Sequence, residues 1–108
     1  MSYKVETIAP FRKEAKKLSK KYASFKSELA DLGSQLSLDP TIGKSLGNNC
    51  FKIRLAIASK GKGKSGGARV ITHVKITAST IFLLSIYDKA ETDSISNEEI
   101  IARVKRLK

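Results

Sequence analysis

The 108 residues include 21 lysines and arginines against 10 aspartates and glutamates, which gives a formal net charge of +11. Repulsion among these positive charges destabilises the compact state. The high net charge therefore indicates a polyanionic partner such as nucleic acid. Hydrophobic residues make up 41% of the chain, which excludes a disordered polypeptide and allows one folded domain over residues 1–108.

The first third of the chain predicts a strand and two helices. Residues Tyr3 to Ala9 alternate between apolar and polar, as in a half-buried strand. Pro10 opens a helix, where its missing N–H is not needed, and a second helix begins near Ser24 and ends at Asp39-Pro40. The solvent side of the first helix is basic throughout: Arg12, Lys13, Lys16, Lys17, Lys20 and Lys21.

Three more strands and a last helix follow. The strands are predicted over Cys50 to Ala58, Ala68 to Ile76 and Thr80 to Asp88, and the third is apolar enough to be central and covered on both sides. Ser96 and Glu99 form a capping-box pair for the helix. The order β-α-α-β-β-β-α predicts an α+β fold in which a small, mainly antiparallel sheet packs on an N-terminal helical hairpin.

The cysteine content and the N-terminus limit the compartment and the chemistry. The single cysteine, Cys50, excludes an internal disulfide and a cysteine-based metal site, and we expect it to be buried at a strand start. The N-terminal residues lack the apolar core of a signal peptide, and no segment is suited to cross a bilayer. We therefore expect a cytoplasmic protein with no membrane contact.

The segment SKGKGKSGGARV, from Ser59 to Val70, ends like a phosphate-binding P-loop. The P-loop pattern needs a glycine where Ala58 stands and a helix afterwards, but a strand pattern follows. The segment is therefore predicted to be a hairpin loop between two strands.

No acidic residue occurs between Asp39 and Asp88. Eight basic residues lie in that interval: Lys44, Lys52, Arg54, Lys60, Lys62, Lys64, Arg69 and Lys75. Strand alternation places Arg69 beside Lys52 and Arg54 on a face expected to be exposed, and the loop lysines extend this surface. The pattern predicts contact with nucleic-acid phosphates; the alternative is that these lysines only aid solubility.

The segments GNNCFKIRLAIASKGKGKSGGARVI and FLLSIYDKAE resemble the RelE/ParE superfamily of bacterial type II toxins, especially its RelE and HigB-type branch. The resemblance extends over most of the chain, because two helices also precede these segments. It implies a RelE-like fold and a toxin that cleaves mRNA in the ribosomal A site without a cofactor or metal. It also implies that a cognate antitoxin, expected to bind DNA, silences the toxin.

The resemblance also assigns candidate site residues. Lys52 and Arg54 match the paired basic positions of the family's strand, Arg69 matches the arginine that begins the next strand, and Lys89 falls near a basic residue at the end of the last core strand. The tyrosine of the family's final segment has no clear counterpart, and Tyr87 is the candidate substitute. This departure leaves the general base open.

RNA cleavage without a metal requires attack by the 2′-hydroxyl, stabilisation of the phosphorane and protonation of the leaving 5′-oxygen. With one histidine in the chain, a histidine pair is excluded and an all-basic site is the hypothesis. Arg69 stabilises the phosphorane, Arg54 holds the phosphate, Lys52 moves a proton with the help of Lys89, and Tyr87 stacks on or orients the base. Five further lysines are predicted to bind nucleic acid: Lys44, Lys60, Lys62, Lys64 and Lys75.

Two other interpretations stay open. Lys52 and Arg54 could be a solvated strand face, Arg69 could anchor the hairpin, and Tyr87 could be a core residue. At the level of the protein, the alternative is a non-catalytic relative of the same fold: a ParE-like inhibitor of DNA gyrase, an RNA binder, or a degenerate toxin that retains antitoxin binding.

Overall fold

The structure, a computed structural model, describes residues 2–61, 66–91 and 94–107. The strands are β1 (Lys4–Thr7), β2 (Lys44–Gly47), β3 (Cys50–Leu55), β4 (Ala68–Lys75) and β5 (Thr80–Asp88). The helices are α1 (Ala9–Lys21), α2 (Phe25–Leu38) and α3 (Asn97–Lys105), and two 3₁₀ turns cover Ala58–Lys60 and Ile76–Ala78. None of the described helices is long and apolar enough to cross a bilayer.

The strands form one sheet in the order β1-β5-β4-β3-β2, in which β1 runs parallel to β5 and the other neighbours are antiparallel. The α+β prediction is confirmed, and β5 is an interior strand between β1 and β4, whereas the central strand of the five is β4. The strand β2 was missed by the sequence analysis, because all four of its residues are exposed and carry no alternating pattern. It joins β3 through Asn48 and Asn49, whose positive φ angles of 53° and 58° suit a tight hairpin turn.

The helices α1 and α2 cover one face of the sheet. The core of this layer contains Phe11 and Leu18 of α1, Leu36 of α2, and Val70 and Ile86 of the sheet, all nearly inaccessible to solvent. The predicted helical hairpin is confirmed, with Pro10 in the first turn of α1. Strand ends differ from prediction in three strands. The first strand covers only Lys4–Thr7, because α1 already begins at Ala9. The strand β3 ends at Leu55 rather than Ala58, where a 3₁₀ turn begins, and β4 ends at Lys75 rather than Ile76.

The helix α3 covers part of the opposite face. Ser96 caps it as predicted, with its Oγ accepting the Glu99 N–H at 3.1 Å. Arg103 holds the helix to the rest of the fold, since its guanidinium donates to both Glu14 carboxylate oxygens at 3.0 and 3.1 Å and to the Leu84 carbonyl at 2.7 Å. The apolar cluster under α3 includes Cys50, which is buried at the start of β3 as expected.

Candidate active site

The site lies on the sheet face that α3 only partly covers, and strand register explains its composition. Arg54 of β3 stands directly opposite Arg69 of β4, and Arg69 stands directly opposite Tyr87 of β5. Lys44 of β2 stands opposite Lys52. Because directly opposite residues share a face of the sheet, these side chains emerge on one side. The alternation predicted from sequence is therefore confirmed for these positions.

A groove of about 620 Å³ lies over this face. Its lining comprises Ile42, Gly43, Lys44, Lys52, Ile53, Arg54, Arg69 and Lys89. Five of these eight residues are basic, and no acidic residue lines the groove among those that the structure describes. Four of the five candidate catalytic residues and the candidate RNA-binding Lys44 thus meet in one place, although they come from three strands and the segment after β5.

Tyr87, the fifth candidate, lines an adjacent groove of about 420 Å³. Lys52 lines both grooves, and Ile71 and Ile95 add apolar lining beside the ring. The Tyr87 hydroxyl is buried and has no hydrogen-bond partner among the described residues. Burial raises the pKa of Tyr87, and the nearby Arg69 guanidinium offsets only part of that rise. The hydroxyl therefore stays protonated at neutral pH and can donate a hydrogen bond, but it is a poor general base.

Arg69 is placed differently from the sequence expectation. It was predicted to be exposed, but only 5% of its surface is accessible, because β4 lies between β3 and β5 in the sheet. One guanidinium nitrogen donates to the Ala68 carbonyl at 3.1 Å. A guanidinium at the bottom of a groove acts on an anion through a lower effective dielectric than a surface arginine does. The burial of Arg69 therefore makes its guanidinium better suited to stabilise a charged phosphorane than an exposed arginine would be.

Lys60 also differs from its predicted role as an exposed RNA ligand. Its side chain is only 6% exposed, and its ammonium lies 2.5 Å from the Asp88 carboxylate, which is 1% exposed. Asp88 also accepts the Tyr22 hydroxyl at 2.8 Å and the Ala90 N–H at 2.9 Å. Lys60 is therefore a structural residue, because a carboxylate 28 positions away along the chain binds it. Lys62 and Lys64 lie outside the described residues.

Both ends of the β3–β4 hairpin loop are held beside the groove. At the entry, Lys60 binds Asp88, which stands between Tyr87 and Lys89. At the exit, the Lys89 N–H donates to the Gly67 carbonyl at 3.1 Å. Sequence reasoning missed Asp88, although an acid at the end of an apolar strand in a basic segment is a signal that could have identified it.

The turn before the loop is bound to α2. The Ala58 N–H donates to a Glu28 carboxylate oxygen at 2.7 Å, and the Ser59 N–H donates to Ser24 Oγ at 3.0 Å. These bonds, together with the Lys60–Asp88 pair, fix the loop base against both the helical layer and the sheet. The sequence analysis assigned no role to Glu28 or Ser24 in the loop.

The candidate Lys75 and the histidine of the chain, His73, lie away from the groove. Lys75 is at the far end of β4, opposite Thr80 and six residues from Arg69, which corresponds to about 20 Å along a strand. His73 lies beside Cys50, with 3.5 Å between its Nδ1 and the cysteine sulfur, and burial lowers the pKa of the imidazole. His73 therefore occupies a different part of the face from the basic groove.

Comparison with known proteins identifies the family. A family model described as the RelE toxin of the RelE/RelB toxin–antitoxin system matches residues 9–107. Among solved structures, a double arginine-to-alanine mutant of E. coli RelE in the free state is 22% identical with a TM-score of 0.66, and the match covers 100% of both chains. The same toxin mutant bound to an antitoxin peptide matches over 100% of both chains, at 21% identity and a TM-score of 0.63. The intact E. coli RelBE toxin–antitoxin complex is 21% identical with a TM-score of 0.62, over 80% of this chain and 95% of the other. At these identities the structures support the fold, whereas the family model extends over nearly the whole sequence, and the chain therefore belongs to the RelE toxin family of toxin–antitoxin systems.

Proposed function

We propose that this toxin is a metal-independent endoribonuclease that cleaves mRNA in the ribosomal A site and so inhibits translation in the cytoplasm. The observation that carries the proposal is the groove in which Lys44, Lys52, Arg54, Arg69 and Lys89 converge. A cavity lined by five cations suits a phosphodiester backbone, because each cation can neutralise a phosphate and release its counterions.

The arrangement suggests a role for each arginine. Arg69 is buried and lines the groove, which suits its guanidinium to stabilise the negative charge that would develop on a phosphorane bound there. Arg54 is exposed and directly opposite Arg69 across the strand pair, which suits it to grip the incoming phosphate before the reaction. The two residues thus divide ground-state binding from transition-state stabilisation.

Proton transfer falls to the lysines. Lys52 stands at the boundary of the two grooves, between the site for the phosphate and the site beside Tyr87. A base stacked beside the Tyr87 ring would bring its ribose and 2′-hydroxyl close to Lys52. Lys89, which also lines the phosphate groove, would assist at the leaving 5′-oxygen. Tyr87, with its raised pKa, orients the nucleotide rather than accepting its proton.

The test is cleavage of a defined message on purified ribosomes with an empty A site, followed by primer extension. Arg69→Ala should lower the cleavage rate on the order of 10²–10³-fold, the effect of losing one donor to a developing oxyanion. Arg106→Ala is the matched control, because Arg106 is exposed at the end of α3. Cleavage by Arg69→Ala at the wild-type rate would contradict the assignment. DNA gyrase inhibition without breaks in the message would favour the non-catalytic alternative.

The proposed partners are the ribosome with its mRNA and a cognate antitoxin. The similar E. coli toxin forms a complex with its RelB antitoxin, and we extend such a partner to this chain. An antitoxin segment with acidic residues would complement the five-cation groove. An antitoxin that also binds DNA would link the silenced toxin to control of its own synthesis.

A further inference from the structure

Helix α1 carries five lysines that the groove does not explain. Lys13, Lys16, Lys17, Lys20 and Lys21 are exposed along one side of the helix and line a shallow depression of about 500 Å³. We call these five residues the lysine stripe. From first to last it extends about 12 Å along the helix axis, at a rise of about 1.5 Å per residue.

The stripe has little internal neutralisation. Glu14, the only acidic residue of α1, is turned toward the sheet, where it binds Arg103 and accepts the Ser85 hydroxyl at 3.1 Å. Lys21 pairs with Glu91. Within the described part of the chain, no ion pair joins the other four lysines to a carboxylate.

This arrangement opposes helix stability. Lysines three and four positions apart repel each other, and the helix dipole favours cations only in the last turn, at Lys20 and Lys21. The apolar side of α1 already packs on the core without them. Residues that the fold does not need and that lower its stability indicate binding to something outside the fold.

The chemistry of the stripe selects the kind of partner. No exposed apolar or aromatic side chain interrupts the five lysines, whereas a membrane-binding helix presents apolar residues to the bilayer and protein interfaces have few lysines at their centre. Lysine ammonium groups without base-reading side chains suit a phosphate backbone. The partner that fits is therefore a nucleic acid contacted independently of its sequence.

The position of the stripe separates it from the cleaved strand. The helix α1 packs on the sheet face opposite the groove, and its C-terminal end reaches the groove rim, because Lys21 binds Glu91 two residues after Lys89. One single strand in the groove would not also follow the outer side of α1. We infer that the lysine stripe binds the phosphate backbone of folded ribosomal RNA, on a second side of the toxin from the message. This inference rests on the proposed ribosomal function.

The experiment compares two variants that each lose four positive charges. The stripe variant combines Lys13→Gln, Lys16→Gln, Lys17→Gln and Lys20→Gln, and it keeps Lys21 because of its pair with Glu91. The control combines Lys4→Gln, Lys26→Gln, Lys105→Gln and Arg106→Gln, all exposed positions elsewhere. Lys4 pairs with Glu6, but both side chains are exposed, and such a surface pair contributes little to stability. Both carry Arg69→Ala so that the message stays whole, and both bind 70S ribosomes with an empty A site between roughly 50 and 200 mM salt.

The stripe variant should bind at least about tenfold more weakly than the control at the low-salt end. Its plot of log affinity against log salt should be shallower by about 3, as expected when four phosphate contacts are lost. Its unfolding temperature should equal or exceed that of the parent, since like-charge repulsion is removed. Equal slopes for stripe and control variants would overturn the inference, and so would stripe-dependent binding to phosphatidylserine vesicles without an effect on ribosomes.

The outcomes also separate the inference from the proposed function. If the wild type cuts the message while the stripe variant binds like the control, the ribonuclease stands and the stripe inference falls. If ribosome binding depends on the stripe but the wild type never cuts, the stripe inference stands and the ribonuclease falls. Absence of any ribosome binding by the wild type would overturn both.

Discussion

The ion pair between Lys60 and Asp88 should account for a large share of the free energy of unfolding. Both side chains are almost fully buried, and Asp88 accepts bonds from Lys60, the Tyr22 hydroxyl and the Ala90 N–H. Asp88→Asn removes one buried charge and leaves the Lys60 ammonium unpaired, which destabilises a protein by about 3–5 kcal/mol. At about 4–8 °C per kcal/mol for a domain near this size, the midpoint of thermal unfolding should fall by at least about 12 °C.

The pH dependence of stability gives a second readout for the same pair. Burial alone would raise the pKa of Asp88, but the bonds from Lys60, Tyr22 and the Ala90 N–H outweigh it and hold the pKa below the ordinary value of 3.8. A carboxylate with a lowered folded-state pKa stabilises the protein above its unfolded-state value, and this contribution is lost as the pH falls below 3.8 through the folded-state pKa. The stability difference between wild type and Asp88→Asn should therefore shrink in that acidic range.

Urea unfolding of Asp88→Asn, Lys60→Met and the double variant forms a double-mutant cycle that measures the coupling. The double variant should be more stable than the sum of the single effects predicts, by about 1–3 kcal/mol, because no unpaired buried charge remains. Lys26→Met, at an exposed lysine of α2, is the control and should leave stability nearly unchanged. Additive single effects, or a loss below about 1 kcal/mol for Asp88→Asn, would refute the buried-pair reasoning.

Three further variants, the first with a glycine control, test other parts of the fold and site. Gly67→Ala should unfold the hairpin and abolish cleavage, because its Cβ would lie 2.1 Å from a backbone carbonyl oxygen; Gly33→Ala meets nothing within 4 Å and should gain up to about 1 kcal/mol in urea unfolding. Arg103→Met should release α3 and speed the reaction of Cys50 with a thiol reagent about tenfold or more, and an unchanged rate would show that Arg103 does not hold the helix. Tyr87→Phe should keep or raise thermal stability, by up to about 1 kcal/mol, because it removes a buried hydroxyl without a described partner; cleavage at the wild-type rate would exclude a role for that hydroxyl.

Local periodicity predicted most of the fold because the core of this protein is built from regular elements. The interior strand β5 was predicted at its observed ends, and α3 was predicted from its capping residue Ser96. Strand alternation also placed Lys52, Arg54 and Arg69 on one face, since pleating fixes the side of each residue whatever the partner strand.

The features that the sequence did not reveal depend on contacts between residues that are distant along the chain. Lys60 resembles its loop neighbours Lys62 and Lys64 in sequence, and only the position of Asp88 in space makes it a structural residue. Arg69 was expected on the surface because alternation gives the side of a residue but not the depth of cover above it. Strand β2 carries no apolar pattern, so only its pairing with β3 defines it.

The high net charge predicted a polyanionic partner but did not indicate which surface binds it. The positions of the carboxylates in the fold indicate which basic surfaces are available. Asp88 and Glu14 are used within the fold, where they hold Lys60 and Arg103. The described groove lining has no acid, and in the stripe only Lys21, at its end, pairs with described carboxylates, those of Glu91 and Asp88. Asp88 and Glu14 thus lie beside structural cations, and the two basic surfaces lie on opposite sides of the sheet. Under the proposed ribosomal function, the message strand would occupy the groove and folded RNA would contact the stripe, whereas a free single strand would engage only one side.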